Sequence, residues 1–566
     1  MKTEIENKIK EVLKNLGIEE SVSLERPAEM ANGDYSTNVA LSCAKKIGMN
    51  PKELAEKIVN ELNLHMSDLC EKIETAGPGF INFYLSPEYY KNEISNILKS
   101  EKDYGKNILL KGKKVMVEYT QPNPFKPFHI GHLMSNAIGE SLSRIVEFSG
   151  AETIRANYQG DIGLHVAKAM YGILKSGGAY PEGSVGSIAE FIGKCYSDAS
   201  TLYEDNEEIK NEIDILNKRL YAHDSELWPL YEEGRKITLE AFEELYKILG
   251  TKFDVYYFES EMAQEGTKLV QEFLQKGIFE NSDGAIVFHA EKYNPKLHTR
   301  VFLTKANLPT YEAKEIGLTV KKFRDYNPDI SIIDTATEQK DYMAVVTESI
   351  RQMFPKDKYA DRMMHVTHGM MRFASGKMSS RKGNVITGES LVRDTVEIIK
   401  EKMAEREWND ADKREVAEIV GVSAIKYSIL RSKIGSDIVY DVDKSISTEG
   451  DSGPYLQYSL TRANSVLKKV APQNLVVGVP SEIGNLEKML VRFPETVVRA
   501  WTELEPHHIV TYLTELAAAF NSFYAKEKIS DPSDPNSPYR VALTQAFSIV
   551  MQNGLYLIGI KIPNKM

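Results

Sequence analysis

Cysteine is scarce in this sequence. Cys43, Cys70 and Cys195 are the only three in 566 residues, and none belongs to a Cys-x-x-Cys pair. A disulfide framework needs an even set of spaced cysteines, and structural zinc sites usually need clustered ones. The sequence therefore excludes a disulfide-stapled fold and gives no support for a metal bound by the protein. We expect three small, buried thiols.

Long apolar runs are also missing, so no segment is predicted to cross a bilayer. The stretch 1–18 has helical periodicity instead, with apolar residues at Ile5, Ile9, Val12, Leu13 and Leu16. It lacks the apolar core of a signal peptide and the shortage of acidic residues that marks a transit peptide. We predict a cytoplasmic protein that does not bind membranes.

An excess of basic residues is missing as well. Lys and Arg total 70 against 81 Asp and Glu, for a net charge of −11. Such a chain is not an indiscriminate nucleic-acid binder, and any RNA-binding surface must be a local basic face. Hydrophobic residues at 42% and charged residues at 27% are ordinary globular values, which argues against disorder.

Three regions follow one another along the chain. Residues 1–105 have the pattern of a small α+β module, with helices near 4–16 and 51–63, a strand at 80–85 and a charged linker at 99–105. Residues 106–395 predict a doubly wound parallel sheet: a buried strand at 115–120, a turn, a helix at 131–148 and further strands at 285–288 and 330–333. A helical insertion interrupts this region at about 186–250.

Residues 396–566 are helical almost throughout. The predicted helices lie near 411–433, 453–469, 486–501, 506–525 and 538–557. The expected fold class is therefore multidomain α/β: a Rossmann-like catalytic domain with an insertion, an N-terminal α+β module and a C-terminal helical bundle.

The first candidate motif is PNPFKPFHIGH at 122–132, between a strand and the start of a helix. A helix N-terminus has free N–H groups and a positive dipole, and both favour phosphate. His129 and His132, with Gly131 between them, can face a nucleotide at close range. Alone, the pattern is better explained by surface or metal-binding histidines.

The second motif is GKMSSRKGN at 376–384, a basic segment flanked by glycines. Alone, it would be interpreted as a solvated charged turn. In this order, and some 250 residues apart, the two motifs resemble the HIGH and KMSKS signatures of class I aminoacyl-tRNA synthetases, whose catalytic domain is a doubly wound sheet.

The surrounding residues resemble one family of that class, the arginyl-tRNA synthetases. The resemblance is carried by 118–133, by NYQGD at 157–161, by 253–260 and by KMSSRKG at 377–383. It extends to NGDY at 32–35, AGPGF at 76–80, GPYLQY at 453–458 and the tail 559–566. It covers essentially the whole chain and implies an ATP-dependent ligase that makes arginyl-adenylate and then transfers arginine to tRNA.

The resemblance also implies roles for individual residues. Catalytic roles fall on His129, His132, Lys126, Lys377 and Lys382. ATP contacts fall on Phe128, His129, Gly131, His132, Gly369, Met370, Lys377, Met378 and Ser379. The arginine pocket is expected from Asn123, Glu259, Tyr311, Glu315 and Gln339, because a guanidinium is best satisfied by bidentate acceptors. Expected tRNA contacts are Phe80, Asn82, Tyr455, Tyr458, Arg462, Tyr524 and Met566.

The implied partners are L-arginine, ATP and tRNA(Arg). Mg²⁺ is expected to enter through the ATP phosphates, with no metal held by the protein, and the chain is expected to be a monomer. Several of these residues have plain structural explanations. Tyr311 could be a half-buried core phenol, Glu259 an exposed charge, and the aromatic residues of the bundle could simply pack.

Three positions depart from the family pattern. Ser380 stands where the second signature usually has lysine, and Lys126, just before the first signature, could supply that charge. Ile162 stands where tryptophan is common, and Glu315 where aspartate is usual. The alternatives are a synthetase-derived RNA-binding protein without charging activity, which would have no need of an ATP site, and a class I synthetase for another amino acid. The N-terminal module and the lack of zinc cysteines weigh against the cysteinyl and methionyl enzymes.

Overall fold

The computed structural model describes residues 1–374, 386–470, 477–480 and 482–566. The chain forms two compact units. The first contains residues 1–104, 459–494 and 514–553, and the second contains 105–458, 495–513 and 554–566.

The N-terminal part of the first unit is a three-stranded antiparallel sheet packed with helices. Its elements are α1 (Lys2–Asn15), β1 (Tyr35–Thr37), α2 (Val39–Ile47), α3 (Pro51–His65), β2 (Cys70–Ala76), β3 (Phe80–Leu85) and α4 (Pro87–Ser100), with strand order β1-β3-β2. The helices at 4–16 and 51–63 and the strand at 80–85 were predicted, whereas α2 was not.

The NGDY stretch has a structural explanation in this sheet. A Cβ on Gly33 would lie 2.7 Å from the carbonyl oxygen of Phe83, and its φ of +98° also favours glycine. The buried Asp34 carboxylate accepts hydrogen bonds from the backbone N–H of Leu85 and from the Tyr90 hydroxyl. The motif therefore fixes the path of the chain across the sheet.

The second unit is built on five parallel strands in the order β11-β10-β4-β5-β6. Its elements up to the predicted insertion are β4 (Lys114–Glu118), α5 (Ile130–Phe148), β5 (Glu152–Gln159), α6 (Leu164–Lys175), α7 (Val185–Asp205), α8 (Glu207–Tyr221) and α9 (Trp228–Leu249). Helices α7, α8 and α9 form the helical insertion, which was expected at about 186–250.

The remaining elements complete the sheet and its covering helices. They are β6 (Val255–Phe258), α10 (Glu259–Gln275), β7 (Glu280–Ser282), β8 (Ala285–Phe288), β9 (Arg300–Leu303), α11 (Tyr311–Asp325), β10 (Ile330–Ala336), α12 (Lys340–Met353), β11 (Met363–His368), β12 (Met371–Phe373), α13 (Gly388–Lys402), α14 (Asp410–Leu430), β13 (Ile438–Tyr440) and α15 (Val442–Ser445). The predicted strand 285–288 is β8, but it belongs to a separate antiparallel sheet, β7-β8-β9.

Helices dominate the described residues from 453 onwards, as the periodicity predicts, but the single helix expected at 486–501 is divided into two. The helices are α16 (Gly453–Leu467), α17 (Asn485–Leu490), α18 (Phe493–Thr502), α19 (His507–Lys526) and α20 (Ser537–Leu557). The expected fold class, a doubly wound parallel sheet with an N-terminal α+β module and C-terminal helices, is confirmed.

Candidate active site

The candidate site lies at the carboxyl ends of the parallel strands, where doubly wound folds bind their ligands. Strand β4 ends at Glu118, β5 ends at Gln159 just before Gly160, and β6 runs directly into Glu259, the first residue of α10. The segment between β4 and α5 contains Asn123 and Lys126. The parallel topology thus brings segments more than 100 residues apart in sequence to one edge.

The two signature histidines form the start of α5. His129 is the N-cap residue, and its backbone N–H donates to Nδ1 of His132 over 3.3 Å. The two rings stack with their centroids 3.4 Å apart. Because Nδ1 of His132 accepts this bond, the neutral ring carries its proton on Nε2, which remains a donor. A Cβ on Gly131 would lie 3.2 Å from the His129 ring.

Both histidines are neutral near pH 7. Partial desolvation, followed by the positive charge of Lys126, lowers the pKa of His129 to about 4, although the residue keeps an exposed face. Burial lowers the pKa of His132 as well. Phe128, itself buried, packs against the His132 ring with centroids 5.3 Å apart. The helix start therefore offers neutral N–H donors and the positive end of a dipole, which suits phosphate oxygens.

Asn123 and Glu259 meet at Gly160. The backbone N–H of Gly160 donates to Oδ1 of Asn123 over 3.2 Å. A Cβ on Gly160 would lie 2.5 Å from that oxygen and 3.0 Å from Oε1 of Glu259. Only glycine leaves room for both side chains. The glycine of the NYQGD stretch therefore allows Asn123 and Glu259 to approach each other.

Glu259 is paired with a lysine that the sequence analysis did not single out. Lys314 on α11 donates from Nζ to Oε2 of Glu259 over 2.7 Å, and the two side chains are only 6% and 11% exposed. A second buried pair lies deeper, where Nζ of Lys322 is 2.5 Å from Oε2 of Glu118. Helix α11 therefore supplies two ammonium groups to carboxylates at this edge of the sheet.

Glu315 is a third buried carboxyl group, and it interacts electrostatically with members of both ion pairs. Its Oε2 accepts a 3.4 Å bond from the Tyr342 hydroxyl, while its Oε1 is buried with no hydrogen-bond partner among the described residues. Burial, followed by the Glu118 carboxylate, raises the pKa of Glu315 to about 7. The Tyr158 hydroxyl is likewise buried and without a partner in the described part of the chain. Burial raises the pKa of Tyr158, with Glu259 and Glu315 contributing.

The other two expected pocket residues are more exposed. Tyr311, the first residue of α11, is 67% exposed, and the Lys314 ammonium lies 5.4 Å from its ring centroid. Gln339 ends the short turn Thr337–Gln339 that follows β10 and is exposed.

A cavity of about 470 Å³ opens beside the Glu259–Lys314 pair. Its charged lining consists of three lysines, Lys126, Lys168 and Lys314. Its aromatic lining consists of three phenol rings and one imidazole: Tyr196, Tyr221, Tyr311 and His165. The Lys126 ammonium lies 5.2 Å from the Tyr196 ring centroid. Among the described residues that line this cavity there is no carboxylate, so its chemistry favours an anionic ligand with stacking surfaces.

Asp161 ties the site to two helices, and its role was also missed. It is buried, and Oδ1 accepts from the backbone N–H of Ser260 over 2.9 Å. Its Oδ2 accepts from Oγ of Ser260 over 2.8 Å and from Nε of Arg235 over 2.9 Å. Because Ser260 follows Glu259, these bonds fix the first turn of α10.

Gly369 and Met370 follow β11 at the same end of the sheet. A Cβ on Gly369 would lie 2.5 Å from the carbonyl oxygen of Ser436, so the chain passes close there. Met370 is 52% exposed, and its N–H donates to Asp437. The second signature, with Lys377, Met378, Ser379, Ser380 and Lys382, lies outside the described residues.

The expected RNA-contacting residues of the first unit occupy different environments. Phe80 is 41% exposed, whereas Asn82 is buried and accepts a 2.8 Å bond from Oγ of Ser36. Arg462 donates to Oδ1 of Asn521 over 2.9 Å, and its guanidinium lies 5.0 Å from the ring centroid of Tyr524. Tyr524 is 38% exposed.

In the second unit, Tyr455 is half-buried and Tyr458 is exposed on the first turns of α16. Met566 packs against the cluster that includes Ile399 and Val416. No helix in the described part of the chain is long and apolar enough to cross a membrane.

Three family models match the chain. Residues 93–442 match the tRNA synthetases class I (R) catalytic domain, 456–566 the DALR anticodon binding domain, and 2–85 the arginyl tRNA synthetase N terminal domain. Together with the doubly wound sheet, these matches define a class I aminoacyl-tRNA synthetase.

Curated relatives narrow the class. An arginine–tRNA ligase of Fusobacterium nucleatum is 33% identical over 547 residues, covering 94% of this chain and 93% of that protein. One from Halothermothrix orenii is 31% identical and covers 99% and 98%. The solved Thermus thermophilus arginyl-tRNA synthetase superposes over the whole of both chains with a TM-score of 0.80 at 23% identity, which supports the fold. The chain belongs to the arginyl-tRNA synthetases, class I ligases that use ATP to join arginine to tRNA.

Proposed function

We propose that this chain activates arginine with ATP, releasing pyrophosphate, and then transfers arginine to the 3′-terminal ribose of tRNA(Arg). The observation that carries the proposal is the juxtaposition at one sheet edge of a phosphate-type helix N-terminus and a buried set of carboxylates. A cationic amino acid and a polyphosphate need these two environments side by side. The in-line attack of a carboxylate on the α-phosphate requires chiefly positioning and charge stabilisation.

ATP phosphates bind at the start of α5 in this proposal. The Nε2 proton of His132, the His129 ring and the backbone around Gly131 donate to phosphate oxygens, and Lys126 adds a positive charge. Phe128, Gly369 and Met370 border the nucleotide. By resemblance, Lys377, Met378, Ser379 and Lys382 complete the site from the second signature. ATP enters as its Mg²⁺ complex, the metal being held through the phosphates.

The arginine side chain is received by Glu259 and Glu315, with Tyr311 at the mouth of the pocket. A guanidinium has five donors in a planar fork, so two carboxyl groups can each take part of it. Asn123 and Gln339 hold the amino and carboxylate end. Because the arginine carboxylate must face the α-phosphate, this orientation points it towards His129 and His132.

The RNA is gripped by aromatic rings and local cations rather than by a wholly basic surface. We assign this role to Phe80 in the N-terminal module and to Tyr455, Tyr458, Arg462 and Tyr524 in the C-terminal helices. By resemblance, Asn82 and the C-terminal Met566 are proposed as further RNA contacts. We also propose a monomeric cytoplasmic enzyme with domains 1–105, 106–395 and 396–566.

The decisive experiment is charging of total tRNA with each of the twenty labelled amino acids, followed by arginine-dependent kinetics of Glu259→Gln. Wild type should charge arginine, and the variant should lose arginine use by two orders of magnitude or more, roughly what removal of one partner from a buried charged contact costs. Glu261→Gln is the matched control, because Glu261 lies on the same turn of α10 but is exposed.

Two results would contradict the proposal. Charging of another amino acid by wild type would overturn the substrate. Equal arginine kcat/KM in wild type and Glu259→Gln, with matching melting curves, would move the side-chain pocket away from Glu259.

A further inference from the structure

The Glu259–Lys314 ion pair places a lysine ammonium inside the proposed amino-acid pocket. Nζ of Lys314 lies 2.7 Å from Oε2 of Glu259, and both side chains are nearly buried. Burial favours the neutral amine, but the Glu259 charge outweighs it and raises the pKa of Lys314 above its ordinary value. The contact is therefore a charged ion pair.

The charges around this pair are nearly balanced. Three buried carboxyl groups interact electrostatically here, those of Glu118, Glu259 and Glu315. Two ammonium groups meet them, with Lys322 on Glu118 and Lys314 on Glu259. Glu315 is the one acid of the three without an ion-pair partner among the described residues, and its other polar neighbours, Tyr158 and Tyr342, are neutral phenols. The pocket thus has room in its charge balance for one further cation.

We propose that Lys314 is a specificity-determining residue that excludes lysine by holding an ammonium group on Glu259. The inference rests on the proposed function, in which Glu259 and Glu315 receive the substrate side chain. A lysine substrate carries a single point charge, so Glu315 alone could pair with it, and a second carboxylate contact like that of the arginine fork would require Glu259. The place it would take on Glu259 already holds an ammonium. Displacing Lys314 exchanges one ion pair for an identical one and leaves a buried ammonium unpaired.

Arginine does not meet the same obstacle. Oε2 of Glu259 is bonded to Lys314, but Oε1 lies on the other side, towards Gly160 and Asn123. A planar fork can donate to Oε1 of Glu259 and to Glu315 at once, so both acids are used without moving Lys314. Selectivity then comes from a repulsive element as well as an attractive one.

The position of Lys314 also explains why the pair is accessible to substrate. Lys314 lines the 470 Å³ cavity and reaches Glu259 from it. Removing its head group would leave Glu259 as a second unmatched acid that opens towards the cavity. The side chain of a lysine substrate bound in the amino-acid pocket could then pair with it.

The test compares lysine and arginine as substrates in Lys314→Met. The kcat/KM ratio of lysine to arginine, measured by tRNA charging, should rise about ten- to a hundredfold over wild type, the range expected for one charge-assisted contact. Lys314→Arg restores a cation and should keep the ratio near wild type. Lys321→Met is the matched control, because Lys321 lies on the same helix and pairs with the surface residue Asp325.

Lys314→Gln guards against a folding defect, because an amide can still donate to Glu259. If Lys314→Met gives no cooperative melting transition, Lys314→Gln decides by the same ratio, which should rise severalfold. An unchanged ratio in a folded variant overturns the inference. That failure is distinguishable from failure of the proposed function: Glu259→Gln reports on whether Glu259 receives arginine at all, whatever Lys314 does.

Discussion

Helix α11 concentrates the unusual chemistry of this protein in single residues. Four of its charged side chains are buried: Glu312, Lys314, Glu315 and Lys322. Replacing a buried ion pair with apolar residues is often neutral or stabilising, so such charges are weak evidence for stability. Their position beside Glu118 and Glu259 suits substrate binding instead. A cationic substrate needs an acidic pocket, and the lysines neutralise part of the negative charge of that pocket.

Glu315 should make arginine binding depend on pH. Burial, followed by the Glu118 and Glu259 carboxylates, raises its pKa to about 7 against the opposing effects of Lys322 and Tyr342. A guanidinium favours the ionised carboxylate, so KM for arginine should fall as pH rises through about 7 and then level off. In Glu315→Gln the KM should be higher and no longer show this step.

The effect of the same group on folding has the opposite sign. A carboxyl whose pKa is raised in the folded state holds its proton there longer than in the unfolded chain. Its contribution to the unfolding free energy is therefore present below its ordinary pKa and is lost as pH rises through about 7. A KM step that runs in the opposite direction would contradict the assignment of Glu315 to the pocket.

His129 should act through a neutral ring. With its pKa lowered to about 4, it does not titrate near neutral pH, so the activation rate should not show a histidine step there. His129→Ala should lower arginine-dependent pyrophosphate exchange by about a hundredfold, as loss of one transition-state donor does. His129→Asn keeps an N–H donor and should recover part of the rate.

Melting curves provide the control for this pair of variants, because His129 also caps α5. Full turnover in His129→Ala with an unchanged melting curve would remove His129 from the phosphate site.

At the scale of elements, helix and strand periodicity predicted most of the second unit. The strand at 115–120, the helix at 131–148 and the insertion all have counterparts in the structure. Residues 285–288 form a strand as predicted, but their assignment to the main sheet was wrong. An apolar run does not specify which strand it will pair with. Helix α2 was missed, since its buried face, Val39, Ala40, Cys43 and Ala44, is made of small residues with a weak apolar signal.

The ionic contacts of the site were harder to predict for a related reason. Lys314 and Glu259 are 55 positions apart, and Asp161 and Ser260 are 99 apart. Only the sheet topology brings them together. Resemblance to the family motifs identified Asn123, Glu259 and the histidines as candidate site residues. For Lys314 the one available signal was a run of charged residues on a helix that also has an apolar face. The roles given to all of these residues stay predictions.

Asp161 should act on the start of α10 as a positioning residue. Asp161→Asn keeps the size of the side chain but removes the charge that pairs with Arg235 and weakens the bonds to Ser260. Because Ser260 follows Glu259, the first turn of α10 should loosen. We expect KM for arginine to rise about tenfold while kcat changes little, as loss of ground-state positioning predicts.

The matched variant is Arg235→Met, which removes the charge partner and leaves the bonds to Ser260. It should raise KM less than Asp161→Asn. A fall in kcat with unchanged KM in Asp161→Asn would show that the residue acts on the chemical step and not on the pocket.

At the scale of the whole molecule, the two compact units do not follow the order of the chain. Residues 459–494 and 514–553 belong to the same unit as 1–104, while 495–513 and 554–566 belong to the other. Periodicity shows that each helix has a buried face but not which neighbour covers it. The proposed domain boundaries at 105 and 395 therefore stay predictions.

The C-terminal tail is part of the second unit and not a free end. Nζ of Lys426 donates to the carbonyl oxygens of Leu249 and Gly559, and Ser141 on α5 donates to the carbonyl oxygen of Leu557. Deleting 450–566 would leave these donors without their tail acceptors, so a truncation would damage the catalytic unit as well as any RNA surface. Point variants are the sharper test of RNA binding.

tRNA binding should be salt-dependent with a modest slope, because the protein is acidic overall and its cations are local. Arg462 and Tyr524 provide the test, since the guanidinium lies 5.0 Å from the ring centroid and both are proposed RNA contacts. Tyr524→Ala should weaken tRNA affinity by about tenfold at every salt concentration, because a stacking contact carries no charge. Arg462→Met should lower both the affinity and the salt slope, the slope by about one if the guanidinium meets a phosphate.

Arg499→Met is the control, because Arg499 is an exposed arginine on α18 paired with Glu503 and is not a proposed contact. Affinities equal to wild type for both Tyr524→Ala and Arg462→Met, across the salt series, would exclude this pair as an RNA contact and direct the search to Tyr455 and Tyr458.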